Sequence, residues 1–155
     1  MPDIIARVGV LILLSLLLWL SVRSGRHFIE IQRERALAAP PLMERAGTGN
    51  ESIDSGTSPV RILAFSSADC KQCHQLQAPA LQRVQHICGV NVAVVEVDAP
   101  TSPELLQRYH VLTLPTTVVL NATGQAHAVN YGFANTQRLL EQVDAVLSQV
   151  QQSAS

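Results

Sequence analysis

Lysine is nearly missing from this chain: Lys71 is the only one among 155 residues. Charged residues of all kinds make up 15% and the formal net charge is −1, so no basic surplus draws the chain to a polyphosphate backbone. Aromatic residues are 4%, too few to stack the bases of a single strand, and no nucleic-acid partner is expected. Three cysteines cannot staple a disulfide scaffold, and two of them stand close together, which points to chemistry or metal instead. Apolar residues, by contrast, make up 47%, which excludes a disordered chain. The length suits one small domain, or a domain with an anchor, and there is no internal repeat.

The apolar residues are concentrated at the start. Val8 to Val22 carries no charge, and with Ile4, Ile5 and Ala6 the run is broken only by Arg7. At 1.5 Å per residue this stretch reaches roughly 28 Å, the thickness of a bilayer's hydrocarbon core. Arg7 near one end can reach the headgroups, and Trp19 suits the other interface. A cleaved signal peptide is the competing reading, through the small-residue site Ala36-Leu37-Ala38. That site lies far beyond the apolar core, behind Arg23, Arg26, Arg33 and Arg35, so a retained transmembrane helix over 4–22 is expected. A short juxtamembrane helix ending before Pro40-Pro41 and a flexible tether from Gly47 to Pro59 fill 23–58. The basic block is a headgroup-binding face, which makes a lipid membrane a partner. It also favours the cytoplasmic side for everything that follows, with the extracytoplasmic side as the alternative.

A soluble domain is expected over 59–150, with 151–155 as a tail. Val60–Ser66 is a short apolar run fit for a buried strand. Cys70–Ile87 has helical spacing through Leu76, Leu81, Val84 and Ile87. Val90–Val97 is β-branched and extended, and Ser102–Tyr109 is a short helix capped by Ser102 with Leu105 and Leu106 inward. Thr116–Leu120 and Ala126–Tyr131 form a hairpin about Asn121–Gly124, and Asn135 caps a last helix. The order β-α-β-α-β-β-α gives a parallel pair followed by a hairpin, hence a mixed sheet with helices on both faces.

The chemistry is centred on Cys70-Lys71-Gln72-Cys73, directly after a strand and at the start of a helix. Free N–H groups and the partial positive charge of a helix start stabilise a thiolate on Cys70. Lys71 beside it lowers its pKa further, while Asp69 opposes this. Cys70 is the candidate nucleophile and Cys73 the resolving thiol. The same residues have other readings. With His74 the spacing also suits haem attachment, although no methionine follows Met43 as an axial ligand. Two thiolates are half of a zinc site, although no second ligand pair follows. An inert core pair is a third reading, set against the polar loop Ser66–Asp69. A second signal is Leu114-Pro115 immediately before a strand: a cis bond there leaves the Leu114 backbone groups free to pair with an extended substrate.

Taken together, these residues resemble the thioredoxin family over about 59–150. The likeness rests on the cysteine pair after the first strand, Val97-Asp98, Tyr109-His110-Val111 leading to Leu114-Pro115-Thr116, Gly124 and Gly132. It implies an α/β thioredoxin fold preceded by one transmembrane helix, and a redox-active Cys70–Cys73 pair that needs no cofactor or metal. It also implies substrate binding at Leu114 and Pro115, with protein thiols or disulfides as substrates and a separate reductant or oxidant as partner. Departures from the family pattern are Asp69 in place of tryptophan, Lys71-Gln72 in place of Gly-Pro, and Ala64 in place of a buried acid. Val94 replaces a nearby lysine, and Pro79 stands one residue late. These departures favour a narrow, tethered oxidoreductase over a general reductant. The alternative is a non-catalytic binding or redox-sensing module for a membrane partner. Cys88 reads as a packed thiol, and His86, His110 and His127 as surface or packing residues.

Overall fold

The computed structural model describes residues 2–38 and 58–153, with side chains described from residue 11. The proposed tether up to residue 57 and the Arg7 side chain therefore lie outside the described residues. Two compact units result, Met1–Glu34 and Arg35–Ser155.

The first unit belongs to one helix, α1 (Pro2–Leu37), where the sequence suggests a break after Val22. No internal proline interrupts the segment; its two glycines, Gly9 and Gly25, stand far apart, and each costs a helix only about 1 kcal/mol. At 36 residues the helix is roughly 54 Å long, well beyond a bilayer core. Its apolar half, Leu11 to Val22, presents large side chains that are about half exposed. The polar half carries an Arg33–Glu30 pair at 3.9 Å, and the Arg23 guanidinium stacks over Trp19 at 5.5 Å. Among the described residues this is the one helix long and apolar enough to cross a membrane, by length and composition.

The second unit is built on a four-stranded sheet. Strands β1 (Val60–Ser66), β2 (Val92–Asp98), β3 (Thr116–Asn121) and β4 (Ala126–Tyr131) lie in the order β2-β1-β3-β4. The β1–β2 pair is parallel and the other two pairs are antiparallel, which is the mixed sheet expected. Strand β1 is central and covered on both faces, which is why its sequence is a continuous apolar run. On one face Val60, Ile62 and Ala64 pack with Leu81 and Val84 of α2 (Ala78–Cys88) and with Leu139, Val143 and Val146 of α4 (Thr136–Ser153). On the other face Leu63 and Phe65 pack with Tyr109 and with Leu105 and Leu106 of α3 (Pro103–Arg108). Phe65 and Tyr109 meet edge to face, with ring centres 6.2 Å apart.

Several local expectations change. Ser102 makes no side-chain cap on α3. The preceding turn is held instead by Thr101, whose hydroxyl donates to the Asp98 carbonyl and carboxylate. Leu76 and Ile87 do not face the core: they are 46% and 62% exposed. The buried stripe runs through Cys73, Gln77, Ala80, Leu81 and Val84, and both residues sit on its flank. The last helix extends to Ser153 and takes in part of the expected tail. Its Asn135 cap is present, with Oδ1 accepting the Arg138 N–H at 2.9 Å.

Strand register determines what meets at one end of the sheet. Phe65 is opposite Thr116, and Thr116 is opposite Tyr131. The loop leaving β1, the segment entering β3 and the loop leaving β4 therefore share an edge.

Candidate redox site

Cys70 and Cys73 form a disulfide within this edge, with sulfurs 2.06 Å apart. The helical segment opens at Lys71, so Cys70 holds the N-cap position. Its carbonyl accepts the Cys73 and His74 N–H groups, and its sulfur accepts the Cys73 N–H at 3.2 Å. A sulfur in the place of a capping oxygen is where a helix start best stabilises negative charge. Cys70 is partly exposed, whereas Cys73 is only 4% exposed. Asp69 and Lys71 flank Cys70 on the surface, both exposed.

After Cys73 the helix widens into a π turn, Cys73–Gln77, with the Ala78 N–H bonding the Cys73 carbonyl. A π turn holds one residue more than an α turn. His74, exposed, points Nε2 at the Ser67 and Ala68 carbonyls, 3.2 and 3.3 Å away. It thereby braces the loop that leads into Cys70.

The Leu114–Pro115 peptide is cis. Just after helix α3, His110 takes the left-handed conformation, φ 49°, with the Val111 N–H bonding the Leu106 carbonyl and the His110 N–H bonding the Gln107 carbonyl. This turn sends Val111 to Pro115 back toward the site edge. Among the described residues, the Leu114 N–H and carbonyl have no hydrogen-bond partner. The Pro115 carbonyl accepts the Gly132 N–H at 2.8 Å, and Gly132 has the positive φ, 81°, that its turn requires. Leu112 is 64% and Phe133 45% exposed beside these segments.

Ala64 is buried in the first core cluster with Val94 packed against it, so the sheet face there is apolar where the family carries an acid. Gln77 was not singled out by sequence reasoning. It is 3% exposed, and its signal was a polar residue on the buried stripe one turn after Cys73. Cys88 stands apart from the pair, packed against the first cluster. Burial raises its thiol pKa, and the nearby Asp144 carboxylate raises it further.

A sequence model of the TraF family, described as F plasmid transfer operon protein, matches residues 50–143, more than half of the chain. The chain belongs to the TraF family. No curated sequence matches it. Among solved structures, chloroplastic thioredoxin z is 24% identical with a TM-score of 0.52, covering 59% of this chain and 81% of its own. The germline-specific thioredoxin Deadhead of Drosophila melanogaster is 21% identical with a TM-score of 0.53, covering 61% and 87%. Thioredoxin-2 of the malaria parasite is 20% identical with a TM-score of 0.52, covering 64% and 89%. These likenesses establish the thioredoxin fold for the second unit. Fold and cysteine pair together support thiol–disulfide redox chemistry for this TraF-family chain.

Proposed function

We propose that the protein is a membrane-tethered thiol–disulfide oxidoreductase acting on protein thiols or disulfides. The observation that carries this reading is the Cys70–Cys73 disulfide at a helix start, with Cys70 partly exposed and Cys73 buried. In the reducing direction the Cys70 thiolate attacks a substrate disulfide. A mixed disulfide forms and one substrate thiolate leaves. The Cys73 thiolate then attacks the Cys70 sulfur, the second substrate thiolate leaves, and the intramolecular disulfide remains. Two electrons pass to the substrate, and a dithiol donor restores the pair. The oxidising direction is the reverse, with a disulfide acceptor as partner. Lys71 assists the Cys70 thiolate by its charge and Asp69 opposes it. Leu114 offers its free backbone groups, next to Pro115, to an extended substrate segment.

The full chain in nonionic detergent, equilibrated in dithiothreitol buffers of graded potential, is expected to titrate as one two-electron couple assigned to Cys70 and Cys73. It is also expected to speed the reduction of insulin by dithiothreitol. A chain that titrates but does not turn over is a redox sensor, and one that does neither overturns the reading.

Helix α1 serves as the anchor in this proposal, with the basic block keeping the redox domain on the cytoplasmic face. In a Cys88→Ser background, a membrane-impermeant thiol reagent is expected to leave reduced Cys70 unlabelled in intact cells and to label it after lysis. Labelling without lysis places the domain on the extracytoplasmic face instead.

A further inference from the structure

Gln77 grips a loop distant in sequence at two points. Its Oε1 accepts the Ala134 N–H at 2.9 Å, and its Nε2 donates to the Ala134 carbonyl at 3.2 Å. Both partners are buried, Gln77 at 3% and Ala134 at 1% exposed, so the pair is shielded from competing water. Two residues before Ala134, the Gly132 N–H holds the Pro115 carbonyl. The loop leaving β4 is thus tied at one end to the cis-proline segment and at the other to the helix that carries Cys73. Phe133, 45% exposed, lies between the two ties. Gln77 closes the wide turn Cys73–Gln77 and, four residues after Cys73, lies on the same buried stripe.

We propose that Gln77 is a positioning residue for this exchange reaction, holding the Gly132–Ala134 loop as a preformed wall against which a polypeptide substrate docks. The inference rests on the oxidoreductase reading above. Both ends of the Gln77 amide are occupied by Ala134, so its influence reaches the substrate through the loop and not through the sulfurs. A loose loop has to be ordered in each binding event, and that cost weakens docking without altering sulfur chemistry.

The test uses the full chain in nonionic detergent with insulin as substrate and dithiothreitol as donor. Gln77→Leu is expected to raise KM about tenfold, the effect of losing roughly one buried hydrogen bond's worth of order, while kcat changes less than about twofold. The Cys70–Cys73 potential is expected to stay in place. Gln77→Glu supplies a conservative rescue, because a neutral carboxyl both accepts and donates, whereas an ionised one repels the Ala134 carbonyl. Relative to wild type at the same pH, its KM is expected to be near normal at about pH 5 and raised at about pH 8.5. This comparison decides the matter even if Gln77→Leu does not fold. Unchanged KM in both variants, or a potential or kcat that moves in step with KM, overturns the proposal. Wild-type protein that titrates but never turns insulin over is a redox sensor, which overturns this inference; one that does neither overturns the oxidoreductase reading as well.

Discussion

Cys73→Ser is expected to trap substrates, and Cys70→Ser to lose exchange altogether. The two sulfurs are three residues apart but occupy different environments. Cys70 caps the helix and is partly exposed, whereas Cys73 is only 4% exposed. A substrate disulfide can therefore reach Cys70 and not Cys73. Without the Cys73 thiol, the mixed disulfide at Cys70 has no internal attacker, and it persists until an external thiol cleaves it. Non-reducing electrophoresis of the full chain after incubation with oxidised substrate should show a covalent adduct for Cys73→Ser and none for Cys70→Ser. Each of these samples needs Cys88→Ser as background, so that the remaining thiol cannot contribute an adduct. If the adduct forms with Cys70→Ser instead, the roles of the two cysteines are reversed.

A large effect on stability is expected at Ile62. It is 0% exposed at the middle of β1, the strand paired on both sides, and packs in the cluster shared with α2 and α4. Ile62→Ala removes three carbons from a site where backbone pairing on both edges prevents collapse. The cost is about 3–4 kcal/mol, transfer and cavity together. Against a typical domain stability of about 5–15 kcal/mol this is a large fraction. The midpoint of a guanidinium titration in detergent should fall accordingly, with the slope unchanged. A loss below about 1 kcal/mol would mean that the core around β1 repacks freely.

Much of the fold was legible because its signals are local. The apolar run Val60–Ser66, the β-branched stretch before Asp98 and the Asn121–Gly124 turn each specify their own backbone. The cysteine pair was legible for the same reason: a strand, a polar loop and a helix start follow one another along the chain. The inward face of the first domain helix was less legible. Apolar spacing placed Leu76 and Ile87 in the core, yet the buried stripe passes through Cys73 and Gln77. The stripe keeps ordinary helical spacing from Cys73, at i+4, i+7, i+8 and i+11, but its polar member Gln77 hides it from a reading of apolar residues alone. The break expected after Val22 is likewise replaced by a continuous helix, since a change in polarity does not stop a helix that keeps its hydrogen bonds.

By itself, then, the sequence determined the element types, the apolar N-terminal segment and the place of the cysteine pair between a strand and a helix. Those properties follow from residues within a few positions of one another, where hydrophobic period and turn chemistry act directly. Tertiary structure alone decided the strand order β2-β1-β3-β4, the edge where three loops meet, and the hold of Gln77 on Ala134. That contact spans 57 residues. An amide looks the same in a sequence whether it faces water or a buried backbone. Only the packing of the chain gives it a partner, because burial makes an unpaired amide costly and a paired one specific.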